Sequence, residues 1–132
     1  MSVASLNLNG KKIEGFDSII IVKDLSDIPG GVTLDVTGIT ADTISAGHVL
    51  IHNTVTDVVK PLGITGSNND TYASLDTNEE YYGILKASVL KTQPFAAVLR
   101  AGTVNAAAAA KAVGAAYTDT IKAGLPRIDF IY

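Results

Sequence analysis

The chain has 132 residues, of which 47% are hydrophobic, 17% charged and 6% aromatic, and its formal net charge is −3. This length predicts one domain, and the absence of a Lys/Arg run argues against a nucleic-acid partner. Cysteine is absent, which excludes disulfides, thiolate metal sites and thiol nucleophiles. The charged fraction is below the usual quarter, so the chain is either a low-charge monomer or a protein that covers apolar surface by self-association.

The N-terminus lacks the long apolar segment of a secretory signal. The longest run of small apolar residues, 106–110, is far too short to span a bilayer. These features predict a protein made in, and soluble in, a cytoplasm, with no membrane partner. Residues 2–8 alternate with period two, which indicates either a terminal strand or a mobile arm.

Hydrophobic periodicity predicts several short strands in the first two thirds of the chain. The β-branched run of residues 19–22 predicts a buried strand, because such residues fit a sheet interior. Residues 63–78 are rich in Gly, Ser, Asn and Thr, and predict a surface loop. The remaining predictions are a loop at 25–31 with a turn at Pro29–Gly30, a half-exposed strand at 32–36, a polar connection at 37–47, and strands at 48–52 and 55–60.

The last third predicts strands and two helices. Residues 81–85 form a strand with Gly83 at a bulge or close approach, and residues 95–100 form an apolar strand with Phe95 in the core. Asn105 caps an Ala-rich helix over 106–117. A short second helix begins at Thr118 or Asp119, Gly124 takes its C′ position, and 127–132 alternates as a strand. The predicted fold class is α+β: a small single domain of short, mostly antiparallel β-strands with an Ala-rich helix and a short second helix near the C-terminus.

No motif in the chain predicts catalysis, and we expect no enzyme activity, cofactor or metal. His48 and His52 are separated by an even number of residues, so both can face one side of a strand. A metal site would need a further ligand, for which Asp57 or Asp42 is nearest, and two histidines alone match no zinc pattern. Adjacent carboxylates at Glu79 and Glu80 point to opposite faces of a strand, and they indicate a solvated strand start rather than an acid–base pair.

The run of alanines at residues 106–110 has two interpretations. One is simply a stable helix, since alanine has the highest helix propensity. The other is that small side chains allow the helix to approach a neighbouring backbone closely, as at a subunit interface. The sequence alone leaves both open.

Several stretches from about Ile44 onward are distinctive together: SAGHVL (45–50), YGIL (82–85), PFAAVLRAGTVNA (94–106), a helical segment with Thr118, Ile121 and Gly124, and the strand 128–132. In these stretches the chain resembles the lambda-type bacteriophage head decoration (capsid-stabilising) protein family. The matching stretches describe a particular order of elements: a strand, an apolar strand ending in Arg-x-Gly-x-Val-Asn, a helix, a glycine and a terminal strand. Residues before Ile44 do not match the family.

The resemblance implies a decoration-protein-like core over residues 10–132 and a virion protein on the outer capsid surface, produced in the host bacterial cytoplasm. It implies a homotrimer at (quasi-)threefold positions that binds the major capsid protein and stabilises the expanded shell. Residues 1–9 would be the capsid-binding arm, pairing with a capsid strand by β-addition. The alternatives are a head-fibre or other virion accessory protein, a small ligand-binding domain or enzyme, and an assembly subunit of a bacterial compartment. The capsid-binding residues implied are Ser2, Val3, Ala4, Ser5, Leu6, Asn7 and Leu8.

Overall fold

The computed structural model describes residues 17–28, 31–66 and 70–132. The predicted arm at residues 1–9 and the predicted turn at Pro29–Gly30 therefore lie outside the described residues. The elements in chain order are α1 (Asp17–Ile20), β1 (Ile21–Asp27), β2 (Val32–Thr33), β3 (Thr43–Ile44), β4 (Val49–Asn53), β5 (Val59–Pro61), β6 (Ile64–Thr65), β7 (Thr71–Tyr72), β8 (Glu79–Leu85), β9 (Val89–Leu90), β10 (Phe95–Ala96), β11 (Val98–Asn105), α2 (Ala106–Val113), α3 (Asp119–Gly124) and β12 (Ile128–Ile131).

The main sheet has the strand order β1-β11-β8-β4-β5, and β12 joins it beside β11. Its pairs are antiparallel except β11–β12, which is parallel. A parallel pair needs a crossover, and α2 and α3 supply it. Three two-stranded sheets, β10-β2, β3-β9 and β6-β7, surround this main sheet. The predicted α+β class with mostly antiparallel strands is confirmed.

Successive residues of the central strands enter two separate cores, one on each face of the sheet. In β4, Val49 and Ile51 join the first core and Leu50 joins the second. In β11, Leu99 joins the first and Val98 the second. This follows from the period-two geometry of a strand, and explains why these strands are almost continuously apolar. The first core also contains the helices, and the second contains β3 and β9 residues.

Gly83 lies both at a bulge and at a close approach, as predicted. Leu50 pairs with Gly83 and Ile51 with Tyr81, so Tyr82 is an extra residue in β8. A Cβ atom on Gly83 would lie 2.6 Å from the carbonyl oxygen of Leu99. Only glycine lets β8 and β11 approach this closely.

The predicted buried strand around residues 19–22 is correct only in part, because Ile21 and Val22 begin β1 whereas Ile19 and Ile20 end α1. Ile20 belongs to α1 and is fully buried, whereas Ile19 and Val22 are each 51% exposed. The reason is that β1 is an edge strand of irregular register. It carries an extra residue relative to β11 at Val22 and another at Leu25, which is 65% exposed. The predicted loop at 25–31 is also wrong at its start, because β1 continues to Asp27.

The predictions for residues 32–78 are correct only in part. The half-exposed strand shortens to β2, after which Leu34 is buried. The polar connection of 37–47 contains β3, and the predicted surface loop of 63–78 contains β6 and β7. Tyr72 is 4% exposed, because its ring stacks on that of Tyr117 at 6.2 Å in the first core. Long-range aromatic packing overrides the polar local composition here.

Phe95 does not lie in the core: it is 70% exposed in β10, opposite Thr33 of β2. The break at Ala97 separates β10 from β11, which then continues beyond the predicted end at Arg100 as far as Asn105. This continuation is possible because β11 acquires β1 and β12 as neighbours there.

The caps of the two C-terminal helices are largely as predicted. Asn105 Oδ1 accepts a hydrogen bond from the Ala108 amide at 3.0 Å, and Thr118 caps α3 through the Ile121 amide. The Ala-rich helix ends at Val113 rather than residue 117, because Gly114 takes the left-handed conformation with φ of 94°. Gly124 is the last residue of α3 and not its C′ residue; a Cβ atom there would collide with the Tyr81 ring.

The alanines of α2 allow a close approach within the chain. Ala109 is 1% exposed, and a Cβ atom on Gly47 would lie 2.9 Å from its Cβ atom. Tyr117 fixes the same loop, because its hydroxyl donates a hydrogen bond to the Gly47 carbonyl at 2.6 Å. A close approach by this helix therefore occurs inside the chain.

Candidate functional site

A cluster of one histidine and two carboxylates lies where β4 ends and β8 begins. His52 of β4 is directly opposite Glu80 of β8, and Asp57 belongs to the tight connection from β4 to β5. Asn53 builds that connection, since its side-chain oxygen accepts hydrogen bonds from the amides of Val55 and Thr56. This connection carries Asp57 back over the histidine ring.

Both nitrogens of the His52 ring contact a carboxylate. Nε2 lies 2.6 Å from Asp57 Oδ1, and Nδ1 lies 2.9 Å from Glu80 Oε1. The His52 side chain is 17% exposed, whereas Asp57 is 91% and Glu80 56% exposed. Hydrogen bonds from the ring to the carboxylates of Asp57 and, second in size, Glu80 raise the pKa of His52, and partial burial opposes them. Asp57 itself has a φ of 58°, so a non-glycine residue adopts the left-handed conformation at this site.

The cluster is unsuited to hold one metal ion. Nδ1 and Nε2 are on different sides of the imidazole ring, so the two carboxylates bound to them do not converge on a common point. In the part of the chain that the structure describes, no group of three or more His, Asp or Glu side chains is arranged to hold a metal ion. The ring instead lies 5.4 Å from the Tyr82 ring, on which the Arg100 guanidinium also packs at 5.1 Å.

His48 does not join His52. Its ring lies edge-on to Tyr72 in the first core, and its Nε2 lies 2.8 Å from the Leu62 carbonyl oxygen. A carbonyl only accepts, so Nε2 carries the proton, and burial lowers the pKa of His48. Of the two further ligands that the sequence suggested, Asp57 reaches His52, whereas Asp42 lies before β3, where its carbonyl accepts the Lys91 amide.

The predicted solvated strand start is correct for Glu80 and wrong for Glu79. The Glu79 side chain is only 6% exposed. It lies 3.3 Å from the Lys60 ammonium and accepts a hydrogen bond from the Asp76 amide. The two carboxylates have different partners, as the alternation of a strand requires.

A groove of about 490 Å³ lies beside His52. Two of its lining residues have polar partners: Asp57 Oδ1 contacts His52 Nε2, and Asp35 Oδ1 accepts hydrogen bonds from the amide and hydroxyl of Thr37. Hydrogen bonds from Thr37 lower the pKa of Asp35. The groove is lined by Val32, Thr33, Leu34, Asp35, His52, Asp57, Val58, Val59 and Tyr82.

A second candidate, called the apolar strip below, consists of three exposed apolar side chains: Ile19 in α1, and Val22 and Leu25 on the edge strand β1. These side chains are between 51% and 65% exposed. Beside them Lys86 forms ion pairs with Asp24 and with Asp27, the second at 2.8 Å. An apolar strip with a charged rim is typical of a protein interface. Sequence reasoning missed this strip because the β-branched run favoured a buried strand.

The predicted arm residues 2–8 lie outside the described residues. No helix in the described ranges is long and apolar enough to cross a membrane. Comparison with protein-family models matched no family, and comparisons with curated proteins and with solved structures gave no significant match.

Proposed function

We propose that this chain is a structural virion protein that binds the outer surface of a tailed-phage capsid as a trimer at (quasi-)threefold positions. There it stabilises the expanded shell and needs no cofactor. The observation that carries the proposal is the sequence resemblance from Ile44 onward. The elements that its motifs describe occur in the same order in the fold, as β8, β11, α2, α3 and β12.

The apolar strip of Ile19, Val22 and Leu25 supports self-association. A subunit seam requires exposed apolar side chains that can be buried against a second copy, with a polar rim around them. We assign the strip to the seam between copies of this chain. Repetition of one modest contact around a trimer and over a capsid then gives high avidity. Attachment to the major capsid protein would fall to the arm, by β-addition of residues 2–8 to a capsid strand.

The proposal is tested by light scattering on the protein alone and by co-sedimentation with undecorated, expanded capsids. We expect a mass three times 13.7 kDa, in solution or only on the shell, together with saturable capsid binding. A stable monomer that ignores capsids would overturn the proposal. In that case the groove beside His52 would be the place to search for a ligand.

The seam is tested with Leu25→Ser, which removes an exposed apolar side chain without touching either core. Loss of one buried leucine contact costs about 1.5–3 kcal/mol, so trimer association should weaken by about tenfold or more. The matched control is Val55→Ser, because Val55 is 72% exposed on the distant β4–β5 connection. Equal association constants for both variants would show that the strip is not the seam.

The arm is tested separately by deleting residues 1–9. We expect capsid binding to be lost while the thermal midpoint and the oligomer mass are unchanged, because the resemblance implies an arm that becomes ordered by pairing with a capsid strand and not within the subunit. Unchanged binding by the truncated protein would refute the role of the arm and leave the trimer proposal intact.

A further inference from the structure

The number of protons on His52 follows from its two contacts. A neutral imidazole has one N–H donor and one lone pair, whereas a carboxylate only accepts hydrogen bonds. Contacts of 2.6 Å to Asp57 and 2.9 Å to Glu80 are both hydrogen bonds only when each ring nitrogen carries a proton. A neutral ring would place its lone pair against one carboxylate.

We propose that Asp57, His52 and Glu80 form a proton-operated latch that fastens the β4–β5 connection to the start of β8. While the ring is an imidazolium, it joins the connection to β8 through two charge-assisted hydrogen bonds. Loss of one ring proton breaks one of them. We expect the hydrogen bond to Asp57 to break, because Asp57 is exposed on the connection whereas Glu80 is held opposite His52 by strand pairing.

The conformation of the β4–β5 connection can depend on the single hydrogen bond between Asp57 and His52. Its backbone is held at the base, where the Asp57 amide donates to the Asn53 carbonyl at 2.8 Å. Asp57 nevertheless keeps a left-handed conformation, which costs free energy in a non-glycine residue. The hydrogen bond to His52 is the side-chain interaction that offsets this cost. Release of Asp57 would also move one wall of the groove beside His52.

The other polar and charged groups around His52 have partners of their own and do not substitute for the hydrogen bonds to Asp57 and Glu80. On β8, Tyr82 presents its ring to His52, and Arg100 of β11 packs on that ring. Across the groove, Asp35 is bound to Thr37 and lies within the field of Lys60. Lys60 itself pairs with Glu79 on the other side of β8. The acidic partners in direct contact with the ring are Asp57 and Glu80.

The pH window follows from the direction in which the pKa of His52 moves. Its pKa is raised by the two carboxylates above the usual value of about 6.5. The stabilisation is therefore fully present below about pH 6.5, and it is lost as the pH rises through the higher pKa of the folded state. His48 behaves in the opposite way, because burial lowers its pKa.

The test is a titration of the ¹⁵N-labelled full chain by NMR between pH 5 and 9, with amide exchange measured over the same range. We expect His52 to titrate above about pH 6.5 and His48 below it. After correction for intrinsic exchange, the protection of the Asp57 amide should fall as His52 loses its proton. For each pH unit by which the His52 titration midpoint lies above about 6.5, the protection factor of the Asp57 amide can fall by up to about tenfold.

Three variants separate the latch from a general effect of pH. Asp57→Asn and Glu80→Gln should each lower the His52 midpoint and leave that of His48 unchanged. His52→Gln should remove the pH dependence of exchange at Asp57. The latch is overturned by a His52 midpoint at or below 6.5, by one that ignores both carboxylate variants, or by exchange at Asp57 that does not follow His52.

Discussion

Replacing Leu99 with alanine should lower the free energy of unfolding by about 3–4 kcal/mol. Leu99 is fully buried in the first core, and in β11 it pairs with both Asp27 of β1 and Ile84 of β8. The surrounding strands fix its position, so the cavity left by the missing atoms cannot collapse easily. Chemical denaturation should show a lower midpoint with an unchanged denaturant slope.

Phe95→Ala is the control for this variant, because it removes more atoms from a nearby position. If Phe95 were fully buried in the core, this substitution would lower the free energy of unfolding by about 3–5 kcal/mol. Since Phe95 is 70% exposed, we expect a loss within about 0.5 kcal/mol. A larger loss for Phe95→Ala than for Leu99→Ala would contradict the assignment of these residues to surface and core.

Gly83→Ala should destabilise the protein by about 2–3 kcal/mol, the upper part of the usual range for overpacking. The added methyl group would lie 2.5 Å from Val98 Cγ1 and 2.6 Å from the Leu99 carbonyl oxygen. The side chain of Val98 is itself buried and the carbonyl belongs to the backbone, so β8 and β11 must separate. Thermal unfolding followed by circular dichroism should show a markedly lower midpoint.

Gly63→Ala is the matched control. A Cβ atom there would meet only the Ala73 Cβ atom at 4.0 Å, which is an ordinary contact distance. Its φ is not positive, so alanine fits, and it also reduces the entropy of the unfolded chain. We expect a change within about 0.5 kcal/mol, or a slight gain. Equal losses for the two glycines would mean that the tight spacing of β8 and β11 is not needed for stability.

The sequence predicts those parts of the fold that depend on interactions between residues close together in the chain. Asn105 and Thr118 were recognisable as caps because their side chains satisfy amides only a few residues away. Gly83 was recognisable because a glycine inside an apolar strand usually marks a bulge or a close approach. The fold class followed from the order of such signals along the chain.

The predictions are wrong where the structure of a segment depends on residues that are distant in the sequence. The run at residues 19–22 has high β propensity, but propensity does not say that β1 lies at an edge with two extra residues. Similarly, Tyr72 lies in a polar stretch and is buried only because Tyr117 arrives from a distant part of the chain. The site is predictable only in part. The sequence suggests Asp57 as a neighbour of His52, but it does not show that Glu80 lies opposite His52, because strand register is not visible in sequence.

The pairing of β11 has a consequence for the order of events during synthesis. This strand pairs with β1, β8 and β12, and in the described sheet it is the only strand paired with β1. The ribosome makes β1 first and must add some seventy further residues before β11 exists, so the closure of this sheet is non-local and entropically costly. Until then β1 and the apolar side chains of Val22 and Leu25 lie beside an open strand edge, which is the arrangement most prone to pairing with another chain. The nascent protein is therefore most vulnerable to aggregation in the interval before its last third has been translated.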